Sequence, residues 1–352
     1  MSSHEKPENK KKFDPPSPEA FGSKQIDLFR TFLCNSDEQR ERLSNAFPLW
    51  DCLPRYSFSR RTAEKLRKDG KLPQVLKLKS QCFGQEYDIV IQPARILDNQ
   101  GNVTEYYPCG SDEIIEDALR KIATLQNNGF FEGSAEPRSG VSFTLYQLQE
   151  ELKKQGHSRS YKQIVLSLQI LANSIIRIKT EGRTKRAFID SPYFRQLSCV
   201  SRADLDEDPS AKWYVDFHPL ITQAISAIEY RQFNYALMMS HTTQLARWLN
   251  KYLVIKFTYA QIGKSFEIRF STVKRDSGLL DGYGRNRKAM EALKKAFEEL
   301  VVKKILLSFD IAKIIGPQRE VEDIVYTIFP TVQFSIEVKA SNANCQTAKA
   351  TQ

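Results

Sequence analysis

Two short basic clusters are the part of this 352-residue chain whose residue types and spacing could do chemistry. The first holds Arg159, Tyr161, Lys162 and Gln163, with His157 and Ser158 just before it. The second holds Arg285, Asn286, Arg287 and Lys288, with Lys274 and Arg275 a little upstream. Arg can pair two N–H donors with guanine, and Gln or Asn can bond adenine in the same two-point way. Arg183, Lys185 and Arg186 follow Gly182 in a tight turn, where cations suit phosphates or a narrow minor groove. Arg319, Lys294 and Lys313 are weaker members of the set. The chemistry on offer is recognition of a polyanion. Tyr161 reads equally well as packing, and His157 as a phosphate contact, a cap contact or a plain loop residue.

The charge is concentrated where these clusters lie. The chain carries 52 Lys+Arg and 42 Asp+Glu, a formal net charge of +10. From 153 to 186 there are nine Lys/Arg and one acid, Glu181; from 274 to 295 there are seven bases and three acids. The remainder of the chain is therefore close to neutral. Two basic foci on a neutral background are the electrostatic footprint of a polyanion-binding protein, the alternative being solvated helix faces.

Other chemistry is hard to find. Gly263-Lys264-Ser265 ends like a phosphate-cradling loop, but Thr258 stands where the first Gly is needed. The four His (His4, His157, His218 and His241) are far apart, and no His-Glu-x-x-His or Gly-x-Ser-x-Gly occurs. Asp204, Asp206 and Asp208 alternate in a Pro/Ser-bearing segment that reads as a solvated linker. The six Cys are scattered without Cys-x-x-Cys, which fits reduced thiols better than disulfides or zinc. No long uncharged apolar run and no signal-peptide pattern occurs, so a soluble, cytoplasmic protein is expected. No catalytic residue, no metal site and no cofactor is expected, and hence no enzyme.

The elements that must position the basic clusters follow from periodicity and capping. Ser111 is expected to cap a helix whose inner face is Ile115, Ala118, Leu119, Ile122 and Leu125. Thr144 with Gln147, and Ser160 with Gln163, form capping boxes for two helices separated by Gly156, a residue suited to a left-handed stop. Strands from Ile175 and from Ala187 complete a helix, turn, helix and hairpin. The same order recurs later. Leu245, Trp248, Leu249, Tyr252 and Leu253 mark one helix, and a short helix ends at Gly278. A long helix follows from about Arg285 to Val302, then a hairpin around Gly316-Pro317. His218-Pro219 opens a short helix after a strand over 213–217. In a winged helix-turn-helix the second helix enters the major groove by its N-terminal turn, and both basic clusters fall on that turn.

The expected fold is therefore α+β: two tandem winged-helix domains with disordered N- and C-terminal tails. The N-terminal arm covers 1–50 and a basic connector 51–77, with one helix from Ser59 to Lys68. The first winged helix spans 78–205, a linker 206–211, the second winged helix 212–338 and a polar tail 339–352.

Gln25-Ile26-Asp27-Leu28-Phe29, near the end of the arm, is similar to the bacterial sliding-clamp-binding pentapeptide. Gln25 would fix entry by hydrogen bonds while Leu28 and Phe29 fill an apolar pocket; the alternative is that Ile26, Leu28 and Phe29 begin a packed helix.

Several stretches resemble RepA/TrfA-type plasmid replication initiators. They include Glu116-Asp117-Ala118-Leu119-Arg120-Lys121, Gly140-Val141-Ser142-Phe143-Thr144-Leu145 and Phe217-His218-Pro219-Leu220-Ile221. Tyr230-Arg231-Gln232-Phe233-Asn234-Tyr235, Gln244-Leu245-Ala246-Arg247-Trp248-Leu249 and Lys274-Arg275-Asp276-Ser277-Gly278 also belong, so that the likeness covers roughly 53–330. The resemblance implies binding of double-stranded DNA at tandem repeats (iterons) of a plasmid origin. It also implies recruitment of the host replicative helicase, chromosomal initiator and sliding clamp, and homodimerisation through the first winged helix. A dimeric winged-helix transcriptional repressor is the other reading.

Overall fold

The structure, a computed structural model, describes residues 37–97, 100–125, 128–132, 135–181, 186–200, 211–317 and 321–351. The chain enters through helix α1 (Asp37–Arg42), strand β1 (Leu43–Ala46) and helix α2 (Pro48–Cys52), then helix α3 (Arg60–Lys68). Ser59 caps α3 by accepting from the Thr62 amide at 3.0 Å. Strands β2 (Leu76–Cys82), β3 (Gln85–Gln92), β4 (Ala94–Leu97) and β5 (Val103–Tyr106) lead into helix α4 (Gly110–Ala123). Ser111 lies inside the first turn of α4 rather than at its cap. The N-cap is Cys109, whose amide donates to the Asp112 carboxylate at 2.9 Å.

The first winged helix is then completed by β6 (Gly129–Glu132), β7 (Arg138–Thr144), α5 (Leu145–Lys154), α6 (Tyr161–Asn173), β8 (Ile175–Glu181) and β9 (Arg186–Pro192). Thr144 accepts from the Gln147 amide at 3.1 Å to start α5. Gly156, at φ +79°, ends it with backbone that costs glycine little. Ser160 and Gln163 exchange their capping bonds at the start of α6. The wing hairpin β8–β9 is extended by two earlier strands into a four-stranded antiparallel sheet of order β2-β3-β8-β9.

Strand β10 (Phe194–Val200) and β11 (Lys212–Phe217) differ from expectation. Residues 213–217 were expected to open the second domain, yet β11 pairs with β7 and β10, in the sheet β10-β11-β7-β6 of the first. Trp213, Val215 and Phe217 alternate into the core there, which is what fixes the register.

Helix α7 (Pro219–Ser226), β12 (Arg231–Asn234) and α8 (Tyr235–Met239) precede the second winged helix. That unit consists of α9 (Gln244–Lys256), β13 (Phe266–Arg269), α10 (Phe270–Ser277), α11 (Asn286–Val302) and the hairpin β14 (Leu306–Ile315) with β15 (Val321–Pro330). Its sheet has the order β13-β15-β14. The last element, α12 (Val332–Thr351), continues from the second winged helix through 339–351, which were expected to form a disordered tail. Phe334 and Val338 are buried, and the Ser341 hydroxyl accepts from the Gln232 amide at 2.9 Å, so the helix has a packed side.

The end of the arm is structured as well. β1 pairs antiparallel with β12, and Ala46, Phe47 and Trp50 join one hydrophobic core shared by both winged helices. The connector's first residues, Leu53 and Tyr56, are buried in the same core.

Candidate nucleic-acid interface

The second cluster lies at the start of α11. α10 ends at Gly278, whose φ of +63° reverses the chain and starts the turn toward α11. Helix α11 buries Ala289, Leu293, Ala296, Phe297 and Leu300 against its own domain. Residues 281–288, which carry Arg285, Asn286, Arg287 and Lys288, are all exposed. The core therefore holds the helix by its later turns and leaves its first turn in solvent. Lys274, in the last turn of α10, donates from Nζ to Asn286 Oδ1 at 3.3 Å and so ties the two helices of the motif together. Arg287 pairs with Glu291 at 3.0 Å while its side chain stays 90% exposed, a surface contact that phosphate or guanine can displace at little cost.

Arg275 is engaged within the protein. It bonds Asp276 at 2.7 Å and Gln81 Oε1 at 2.9 Å, and Asp276 also accepts from the Gln81 amide at 3.0 Å. These bonds fasten α10 to β2, across the two winged helices.

The first cluster is more occupied. His157 Nε2 donates to the Met239 carbonyl at 2.9 Å, joining the α5–α6 turn to α8, and burial holds its pKa below the usual value. A carbonyl only accepts, so the ring is protonated at Nε2. The Arg159 carbonyl accepts from Gln149 at 2.7 Å, and Tyr161 is packed against the core. Gln163 Oε1 accepts from the Ser160 amide at 3.0 Å. Lys162 and Gln163 remain exposed on the first turn of α6, and Arg159 is half-buried. On the first wing Arg186 is exposed, while Arg183 and Lys185 lie outside the described residues, as does Arg319 of the second wing. Lys313 is exposed on β14, and Lys294 pairs with Glu298 at 3.5 Å. The pentapeptide Gln25, Ile26, Asp27, Leu28 and Phe29 also lies outside the described residues.

What holds the two clusters in one body is a buried network of charges that composition did not reveal. Lys251 of α9 places Nζ 2.8 Å from Glu113 and 3.0 Å from Asp117, both on α4. Arg55 bonds Asp51 at 3.0 Å and Glu116 at 2.7 Å, and Arg120 bonds Asp51 at 2.7 Å. Gln244 joins Glu113 to the Tyr56 carbonyl. Burial opposes ionisation of Asp51, yet Arg120, Lys251 and Arg55 together hold it well below the usual carboxylate range. Glu113 and Glu116 are lowered in the same way, against burial, by Lys251 and Arg55 respectively.

Among the described residues there is no group of three or more His, Cys, Asp or Glu that could hold a metal, and no helix long and apolar enough to cross a membrane.

No family model matches the chain, and no curated protein matches it. Solved structures do. A crystal structure of domains 2 and 3 of RctB is similar at a TM-score of 0.44 and 12% identity, covering 74% of this chain and 92% of that one. A second RctB structure of domains 2–3 gives 0.44 and 9%, over 76% and 95%. The Pi initiator protein in complex with iteron DNA gives 0.42 and 12%, over 63% and 91%.

Proposed function

We propose that this protein is a replication initiator of the RepA/TrfA kind, which binds iteron repeats in duplex DNA. The second winged helix reads the bases and the first supports it. The observation that carries this reading is the first turn of α11, where Arg285, Asn286, Arg287 and Lys288 are exposed together while the rest of the helix is anchored in the core. Two-point donors on the leading turn of a recognition helix are the equipment for major-groove readout. The α6 turn, whose polar groups are largely spent on Met239, Gln149 and its own cap, suits phosphate contacts from Lys162 and Arg159. Its tie to α8 through His157, together with the Lys251 ion pairs between the domains, would hold both turns at a fixed separation on the duplex.

On this reading the protein acts without chemistry of its own. It marks the origin, opens it with the help of strain, and recruits the host helicase, initiator and clamp. The resemblance of 25–29 to the clamp-binding pentapeptide supports the last partner. Fluorescence anisotropy on duplex from the DNA flanking the gene tests the core of the proposal. Arg285→Ala with Arg287→Ala should abolish preference for that duplex over random DNA while leaving a salt-sensitive, sequence-independent affinity. Unchanged preference overturns it. Capture by purified sliding clamp should be lost on Leu28→Ala with Phe29→Ala, and supercoiled origin DNA with Mg²⁺ should remain uncut.

A further inference from the structure

The most concentrated charge outside both helix-turn-helix motifs is on the connector. From 60 to 77 there are seven Lys/Arg against two acids, Glu64 and Asp69. Helix α3 divides its cations by face. Arg60 turns inward to Asp112 at 2.9 Å, and Arg67 donates to the Glu105 carbonyl with its guanidinium 5.0 Å over the Tyr106 ring. With Ala63 buried, these residues dock the helix. Arg61, Lys65 and Lys68, spaced i, i+4 and i+7, lie on one face, are all exposed, and form no ion pair among the described residues. From Arg61 to Lys68 the row is about 10 Å long at 1.5 Å per residue, roughly three base-pair steps of duplex.

The position of that row matters as much as its charge. Gly278 is packed so closely on Ser57 that a Cβ there would come within 2.6 Å of the Ser57 Cβ. Ser57 precedes the α3 cap by two residues. One turn of helix before Gly278, Lys274 holds Asn286 at the start of α11. The start of the basic helix and the reading turn are thus both fastened to the same end of α10. The α3 row begins four residues after Ser57, the residue that meets Gly278.

We infer that the exposed face of α3 is a third DNA-contacting element, in which Arg61, Lys65 and Lys68 bind backbone phosphates beside the site read by α11. This inference rests on the DNA-binding reading above. The contact adds affinity and fixes register but reads no bases, because three separate cations on a helix side present no paired donors to a groove. Only Glu64 interrupts the row.

The test uses the full-length protein, a duplex of about 60 bp from the DNA flanking the gene, and salt titration of its affinity. At about 0.9 in log–log slope per phosphate neutralised, Arg61→Ala/Lys65→Ala/Lys68→Ala should flatten the slope by about 2.7. It should also weaken binding about tenfold or more near 150 mM salt, with base preference kept. Glu64→Lys should do the reverse, steepening the slope by about 0.9 and tightening binding. A gain of this kind cannot come from misfolding, and equal melting temperatures of all variants complete the control. Wild-type slope and affinity in both variants would overturn the inference and leave the α11 reading intact. Failure of the wild type itself to retain the duplex would overturn both. Sedimentation with phosphatidylserine-containing vesicles provides the other arm. If the triple variant loses vesicle binding and keeps DNA binding, the face belongs to a membrane surface and the inference fails.

Discussion

Lys251 Nζ lies 2.8 Å from Glu113 Oε1 although the two residues belong to different winged helices and both are buried. The ammonium also bonds Asp117 at 3.0 Å, so one cation from the second domain neutralises two carboxylates of the first. Burial works against a charged lysine, but these two acids and Asp51 raise its pKa above the usual value. An ion pair in this position acts as a peg between the domains. Its removal leaves carboxylates facing each other in a low-dielectric interior.

Lys251→Met is accordingly expected to cost about 3–5 kcal/mol of stability, the usual penalty for stripping one partner from a buried pair. Adding Glu113→Gln should recover part of the loss, because the pair then disappears together. Urea unfolding of the single and double variants measures this, and equal costs for both would show that Glu113 is not the partner that matters.

Gly278 should tolerate no side chain. Its positive φ disfavours any L-residue, and its Cβ would collide with Ser57. Gly278→Ala should therefore destabilise by more than the ~1 kcal/mol of a strained turn alone. DNA affinity should fall with it, since the α10–α11 turn sets the angle of the reading helix. A change below about 0.5 kcal/mol, the size of an ordinary surface substitution, would contradict this packing.

Much of this turn chemistry was legible in the chain. Ser160 with Gln163, Thr144, Gly156 and Gly278 act locally and their spacing implies caps and stops, although the Gln147 side chain bonds Asn128 instead of closing a box with Thr144. What the sequence does not show depends on distant partners. Ile115, Ala118, Leu119 and Ile122 read as the inner face of α4, but the opposite face, with Glu113, Glu116, Asp117 and Arg120, is buried too. Hydropathy cannot separate a charged face that is solvated from one matched by Arg55, Asp51 and Lys251. Leu43–Ala46 is too short and polar to read as a strand until Arg231–Asn234 pairs with it. The α3 row reads as a plain connector in the sequence because its placement depends on what Ser57 touches.

Acid should loosen the fold through histidine. His218 is fully buried, stacked at 4.1 Å on Trp50, and its Nδ1 accepts from the Leu220 amide at 3.1 Å. Burial first, and then the charge of Arg55, hold its pKa down to about 3; burial holds that of His241 at about 4. The unfolded chain takes up both protons below about pH 6.5 and the folded one does not, so stability falls as pH falls. The slope is about 1.4 kcal/mol per pH unit for each histidine between about pH 6.5 and 5. Asp51, Glu113 and Glu116, all held low, keep their charge in that window, while burial raises Asp117 and Asp216, which act in the opposite sense. His218→Asn, which keeps a capping acceptor, should remove one histidine's share of the slope in urea unfolding at pH 7.5 to 5. A slope identical to wild type would mean that His218 is not buried neutral.

His157 should matter to the fold rather than to DNA. With its ring bonded to the Met239 carbonyl, His157→Ala should cost about 1 kcal/mol, an ordinary hydrogen bond. The salt slope of DNA binding should not move. A slope shallower by about 0.9 would instead count His157 as a phosphate contact.

Arg287 is the residue on which base reading should turn. It is held only by a surface pair with Glu291, so Arg287→Ala should leave the melting temperature unchanged. Binding should weaken by roughly 1–3 kcal/mol, with preference relaxed at a single base position. Uniform weakening across all sequences would make it a phosphate contact.

The most direct test of the central claim is a footprint of the full-length protein on the DNA flanking its own gene, at about 150 mM salt, where non-specific binding is weak. The account predicts protection of several direct repeats, each with a patch of backbone protection beyond the bases that α11 reads. Protection of a single inverted repeat over the promoter, or none at all, would contradict it.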